Sequence, residues 1–353
     1  MTPLAALLVR QIAATGPISL AEYMAACLGH PEHGYYTTRD PLGAQGDFTT
    51  APEISQLFGE MLGLTLAQAW IDHGRPASFT LAELGPGRGT LMADALRVTR
   101  AVPGFREAAQ LHLVETSSPL RAVQAATLDA VPTWHDSVET LPDAPLFLIA
   151  NEFFDALPIR QFQRVGDGWA ERMIGLDGDR LVIGQSSAAP VAALEHRLAD
   201  TPDGGIVETR APAAAIASEL GARIASRGGA ALIVDYGDWR SRGDTLQAVA
   251  GHAPIDPFAT PGQADLTAHV DFEALALAAA PARATPLIPQ GVFLERLGIT
   301  ERARSLASGG DAAQVDAIAA AHRRLTHPDE MGSVFRILGL APADAPALPG
   351  LDP

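Results

Sequence analysis

The run Glu83-Leu84-Gly85-Pro86-Gly87-Arg88-Gly89-Thr90 constrains this chain more than any other stretch. It stands where an apolar segment, Phe79-Thr80-Leu81-Ala82, should run as a strand into a helix beginning near Leu91. Glycine at every second position lets a backbone turn sharply and come within contact distance of a ligand. A dinucleotide fingerprint needs G-x-G-x-x-G, and a Walker loop needs G-x-x-x-x-G-K-[ST]. This loop is G-x-G-x-G with an acid two residues ahead of the first glycine, so it matches neither.

All 25 basic residues are Arg. The chain therefore lacks the phosphate-binding Lys of a P-loop, the Schiff-base Lys of aldolases and pyridoxal enzymes, and any lysine general base. Pro86 removes one N–H donor from the turn that would otherwise cradle a pyrophosphate. A ligand without phosphate, with a cationic end for Glu83 to face, suits the loop better. S-adenosylmethionine, which carries a sulfonium and an ammonium group, is such a ligand.

A length of 353 residues can bury a large core, and a formal charge of −16 argues against nucleic acid as partner. The single cysteine, Cys27, excludes an internal disulfide framework and suits a reducing compartment. The apolar patch from Pro3 to Val9, followed by Arg10, is too short for a membrane span and reads as an amphipathic helix. With no signal or transit sequence recognised ahead of it, a bacterial-type cytoplasmic protein is expected.

Along the chain, residues 1–75 read as a helical region. It contains the turn His30–Tyr36, a polar loop from Gly43 that continues to Ser55, and a helix from Ile54 to His73 with Phe58, Leu62, Leu66 and Trp70 on one face. Residues 76–240 alternate strands (Phe79–Glu83, Leu111–Glu115, Leu146–Ala150, Ala230–Asp235) with helices, which implies an α/β fold with a mostly parallel, doubly wound sheet. An insertion at about 160–210 opens with an antiparallel meander. Its strands are Arg160–Val165, Trp169–Leu176 and Arg180–Gln185, joined by Gly-Asp-rich turns. Residues 241–340 read as helices and loops covering the substrate, and 341–353 as a disordered tail.

Glu115 ends the second strand, where a carboxylate can accept both ribose hydroxyls; the alternative is a surface Glu. Asp136 could accept from an adenine amino group or be a turn residue. Asn151-Glu152-Phe153-Phe154-Asp155-Ala156-Leu157-Pro158 follows the strand Leu146–Ala150. Its two acids and two aromatics can wall a negative pocket, or Asn151 can simply cap a helix. Gly46-Asp47-Phe48-Thr49-Thr50-Ala51-Pro52-Glu53-Ile54-Ser55 serves equally as a capped helix start or as a lid. No stretch has strong zinc spacing, so no metal is expected at His30/His33 or at His252/His269/Asp271.

These segments, with Asp235-Tyr236-Gly237, Gly243–Gln247, Asp265–Phe272 and Gln290–Leu294, resemble the MidA-type class I S-adenosylmethionine-dependent methyltransferases, in order from about residue 15 to 340. A departure is Ala51, where a Ser is expected before the Pro. The resemblance implies a Rossmann-like methyltransferase core with an added substrate-covering region. It also implies a protein partner, since mitochondrial relatives symmetrically methylate a protein arginine during assembly of respiratory complex I.

On that reading Glu83, Gly85, Gly87, Gly89, Glu115, Asp136 and Asn151 hold the cofactor, with Asp47 and Thr49. Glu53, Phe153 and Phe154 close the site. A guanidinium has a free pKa above about 12 and must lose a proton to accept a methyl group. Glu152 and Asp155 are the carboxylates that could grip it and take that proton, with His269 and Asp271 as contributors from the later region. The rival expectations are a cofactor-binding assembly factor with little catalysis, a small-molecule methyltransferase and a nicotinamide-dependent oxidoreductase. Pro86 and the glycine spacing disfavour the last.

Overall fold

The structure is a computed structural model that describes residues 1–38 and 50–351. The central elements, in chain order, are α1 (Gln56–Asp72), β1 (Phe79–Leu84), α2 (Thr90–Thr99), β2 (Ala109–Val114), α3 (Ser118–Thr127), β3 (Thr133–His135), β4 (Leu146–Asn151), α4 (Ala211–Arg227), β5 (Gly229–Asp238) and β6 (Phe335–Ala341). Every residue of β1 and β4 is buried, the mark of strands covered by helices on both faces. On one face α1 packs Phe58, Leu62, Leu66 and Trp70 over Phe79, Leu81 and Phe147. On the other, α4 lays Ala217, Leu220 and Ile224 over Leu148 and Ile233.

The sheet order is β6-β5-β4-β1-β2-β3; β1 to β5 are joined in parallel, and β6 runs antiparallel to β5. The chain moves outward from β1 through β2 to β3, then crosses back to place β4 on the other side of β1. The loops leaving β1 and β4 therefore diverge, and a crevice opens at their carboxyl ends. Small residues seat the helix that follows β1. A methyl group on Gly63 of α1 would lie 2.7 Å from Ala95 Cα, so α1 and α2 meet almost backbone to backbone.

The insertion forms the expected meander, Arg160–Val165, Gly168–Asp177 and Arg180–Gln185, with antiparallel pairing throughout. Two further strands complete it: Ile206–Thr209 on one edge and, from the start of the chain, Ile18–Ser19 on Gly168–Asp177. Ser19 then caps the helix Leu20–Gly29 through a capping box with Glu22, which fixes how the N-terminal helices stand over the crevice.

Three expectations change. The helix expected over Ile54–His73 breaks at Ser55, which leaves the short turn Ala51–Ile54 and uses its side chain to cap α1 at Leu57 N–H. Residues 241–340 are not only helices and loops, because β6 begins within them and joins the main sheet. The tail expected to be disordered packs instead over its described residues, to Leu351: Leu348 and Leu351 are 2% and 1% exposed and belong to the apolar cluster around α1.

Candidate active site

A cavity of about 560 Å³ occupies the crevice, lined by the ends of β1, β2 and β4 and by residues of the N-terminal region. Gly85, Gly87 and Gly89 all adopt left-handed backbone, with φ of +58°, +53° and +82°. Every second residue of the turn must therefore tolerate positive φ, which explains the spacing. At Gly85 a methyl group would also meet the Phe153 ring at 2.9 Å. Gly89 is the N-cap of α2, so the loop delivers the helix's unpaired N–H groups to the cavity edge.

Glu83 lines this cavity, is 3% exposed, and has no hydrogen-bond partner at Oε2 among the described residues. Burial pushes its carboxyl up to about 8. A cation beside it would restore the carboxylate form. Glu115 is held differently. Its Oε1 accepts from the Ser117 N–H at 2.7 Å and its Oε2 from Gln124 Nε2 at 3.2 Å. Each oxygen keeps a lone pair, enough for two ribose hydroxyls. Burial raises the Glu115 pKa, and these two donors oppose the rise. An unpartnered buried acid, a left-handed glycine cradle and a pre-aimed second acid fit S-adenosylmethionine.

At the end of β4, Asn151 donates through Nδ2 to Glu152 Oε1 at 3.1 Å and leaves its own Oδ1 without a partner among the described residues. Glu152 also accepts from the Ala51 N–H at 3.3 Å. Its φ of +49° is strained for a residue with a side chain and is held by its N–H donating to Val234 O at 2.9 Å. Burial, then the charge of Asp155, pushes Glu152 up to about 7. Glu53 also lines the cavity and accepts from Thr90 Oγ1 at 2.6 Å. Phe153 lines the cavity, whereas Phe154 is fully buried in the core beneath α4; the wall role expected of Phe154 is corrected.

Asp155 lies behind the wall, 5% exposed, with Oδ1 unpartnered among the described residues. Its N–H and that of Phe154 donate to Asp235 Oδ2 at 3.1 and 3.0 Å. Burial raises both Asp155 and Asp235, with Arg210 opposing. The Arg210 guanidinium donates to the carbonyls of Leu157 at 3.0 Å and Ala268 at 2.8 Å, and so ties this loop to the segment after Asp265–Thr267. Tyr36, on the cavity wall, donates to Asp265 Oδ1 at 2.9 Å. Burial, then Asp265, raises the Tyr36 hydroxyl well above its ordinary range, so it remains a donor.

Other expected site residues are elsewhere. Asp136 is not at the cavity; it pairs with Arg121 at 2.6 Å, its side chain 84% exposed. Asp271 caps the helix Phe272–Ala278 through the Ala274 N–H and faces Arg197 at 3.6 Å, and His269 packs edge-on against Tyr236 at 5.3 Å. Both line a second, largely apolar cavity beneath the insertion, not the one holding Glu152. Asp47 and Thr49 lie outside the described residues. Gln124, Tyr36, Asp265 and Arg210 are additions. Tyr36 lies in the His30–Tyr36 turn and Asp265 opens the Asp265–Phe272 run, so the segments are visible but their convergence is not.

Residues 61–290 match the family described as "Putative S-adenosyl-L-methionine-dependent methyltransferase". The chain is 38% identical to the zebrafish (Danio rerio) protein arginine methyltransferase NDUFAF7, mitochondrial, over 94% of this chain and 85% of the relative. It is 36% identical to the human protein of the same name, over 97% and 84%. A Burkholderia thailandensis protein solved with S-adenosyl-homocysteine bound superposes with a TM-score of 0.86 at 31% identity, covering 98% of this chain and 94% of that one. The cytoplasmic location expected from the sequence is corrected by these relatives, which are named as mitochondrial. No helix among the described residues is long and apolar enough to cross a membrane.

Proposed function

The chain belongs to the S-adenosyl-L-methionine-dependent methyltransferase family, and on that premise we propose that it methylates an arginine side chain of a partner protein. Its cofactor is S-adenosyl-L-methionine. The observation that carries the arginine reading is an acidic cavity. Among the described residues Glu53, Glu83, Glu115 and Glu152 line it against one cation, Arg88. Glu83 and Glu115 answer the ammonium and ribose of the cofactor. Glu152, backed by Asp155 and by the Tyr36–Asp265 pair, is then left facing a second cationic guest. The relatives named as protein arginine methyltransferases support a guanidinium in that place. By the family resemblance, the protein bearing it is a subunit of respiratory complex I.

The bound cofactor would supply an electrophilic methyl group on a sulfonium, whose sulfur–carbon bond breaks as S-adenosylhomocysteine leaves. Glu152 presents a carboxylate to the planar guanidinium, whose N–H donors suit a two-point grip. That grip localises positive charge away from one nitrogen. As that nitrogen gains its bond to carbon, its proton passes to Glu152, whose pKa of about 7 lets it accept the proton near neutrality. Asp155 contributes from behind, its charge raising the proton affinity of Glu152. Phe153 and Leu157 supply apolar wall that excludes water from the reacting centre.

The test is methyl incorporation from labelled S-adenosylmethionine into peptides carrying a single Arg, against the same peptides carrying Lys or citrulline in its place. Incorporation confined to the Arg series is expected. Label in small molecules alone, or in none of the acceptors, contradicts the proposal.

A further inference from the structure

We propose that Gln124 is a positioning residue that locks the glycine loop and the ribose-binding carboxylate into one unit, with Trp134 as its anchor. The inference concerns cofactor binding and stands whatever the methyl acceptor is. Gln124 lies on α3, is completely buried, and makes three side-chain bonds. Its Nε2 donates to Gly87 O at 2.8 Å and to Glu115 Oε2 at 3.2 Å. Its Oε1 accepts from the Trp134 indole N–H at 2.8 Å.

The chemistry of each partner fixes the orientation of the amide. An indole N–H can only donate, while a carbonyl and a carboxylate can only accept. The oxygen must therefore face Trp134, and the two hydrogens of Nε2 must face Gly87 and Glu115. No other side chain of this length satisfies all three. Glutamate would set its carboxylate against Glu115 and the Gly87 carbonyl. Methionine would fill the space with no bond. The loop and Gln124 are also neighbours in space, since a methyl group on Gly89 would stand in ordinary van der Waals contact with Gln124 Cα, at 3.6 Å.

The two bonds from Nε2 join two separate parts of the cofactor site. Gly87 belongs to the turn that runs from Glu83 into α2, and Glu115 is the acceptor for ribose. A single buried amide therefore ties the turn's path to the aim of the carboxylate. Ser117 N–H orients only Oε1 of Glu115, so the lone pair left on Oε2 is directed by Gln124. The cost of losing a ribose hydroxyl should then depend on Gln124, which a merely structural residue would not produce.

Calorimetry with S-adenosylhomocysteine and its 2′-deoxy analogue, on wild type, Gln124→Met and Gln124→Glu, tests this. Gln124→Met is expected to bind S-adenosylhomocysteine about tenfold more weakly and to discriminate less between the two ligands, because the buried acceptors lose their donor. In turnover it should raise KM for S-adenosylmethionine more than it lowers kcat. Gln124→Glu should bind more weakly still at about pH 8 and recover part of the loss at about pH 6, where a protonated carboxyl can again donate.

Wild-type affinity and undiminished ribose discrimination in a folded Gln124→Met would overturn the proposal. Should that variant not fold, Trp134→Phe removes only the anchor among the chain's four tryptophans. The wild type is expected to change its tryptophan emission on binding S-adenosylhomocysteine, and Trp134→Phe to lose most of that change and bind a few-fold more weakly. Full retention of both the change and the affinity would count against it.

Discussion

The part of the cavity proposed for the cofactor and the part proposed for the acceptor differ in how far apart their residues lie in the chain. Glu83, the three glycines, Glu115 and Gln124 fall within one β-α-β-α stretch, each placed by the element beside it. Across the cavity, Glu152 leans on Ala51, and Tyr36 reaches Asp265 across 229 positions. The first half is a local motif whose partners come from neighbouring turns. The second exists only once the N-terminal helices, the β4 loop and the strand Asp265–Thr267 have met. A local site can be set for a constant ligand, while an assembled one can be reshaped by the inserted segments without disturbing it.

If the halves are separable, replacements should divide between them. The largest effect is expected for Glu152→Gln. It should lower methyl transfer by ~10²–10⁴-fold, the usual range for a lost general base, with cofactor affinity kept. A parallel loss of affinity in calorimetry would merge the two halves. Glu115→Ala should do the reverse, weakening cofactor binding by ~1–3 kcal/mol for two lost charge-assisted hydrogen bonds while transfer at saturation falls much less.

A smaller effect follows from Glu83. Its folded, cofactor-free pKa of about 8 lies above the ordinary 4.5, so folding favours the protonated form. Two signs follow. Stability of the cofactor-free protein contributed by this group is present below about pH 4.5 and is lost as pH rises through about 8. Affinity for the cationic cofactor moves the other way, gaining up to ~tenfold per pH unit below that value as the carboxylate forms. Between about pH 6 and 7 the calorimetric affinity should therefore rise, with proton release on binding, and Glu83→Gln should remove the slope. The least effect is expected for His269→Ala, because the ring lies in the second cavity: both affinity and turnover should stay within about twofold of wild type, as for surface substitutions away from a site.

The same contrast explains what the sequence reveals. Glu83, Gly85 and Glu115 are legible because alternating strand and helix leave few places for a glycine turn and the acid after the next strand. The meander is legible because Gly166-Asp167-Gly168 and Asp177-Gly178-Asp179 punctuate its strands. Strand β6 hides because Phe335–Ala341 is a short apolar run that could as well be a buried helical turn. Phe153 and Phe154 look equivalent in the chain, yet one turns to the cavity and the other to the core. His269 and Asp271 stand in the same run as Asp265, but capping and ring packing draw them to the second cavity. Asp136 comes after the helix α3 as expected, with the short strand β3 between them, but Arg121 on α3 holds it at the surface.

The central claim is that this acidic cavity methylates a protein arginine. It is tested most directly by mass spectrometry of protein arginines from cells lacking the chain, complemented with either wild type or Glu152→Gln. The account predicts that one arginine loses its methyl groups in the deletion, regains them with wild type and stays unmethylated with Glu152→Gln. Arginine methylation that is identical in all three strains would contradict it.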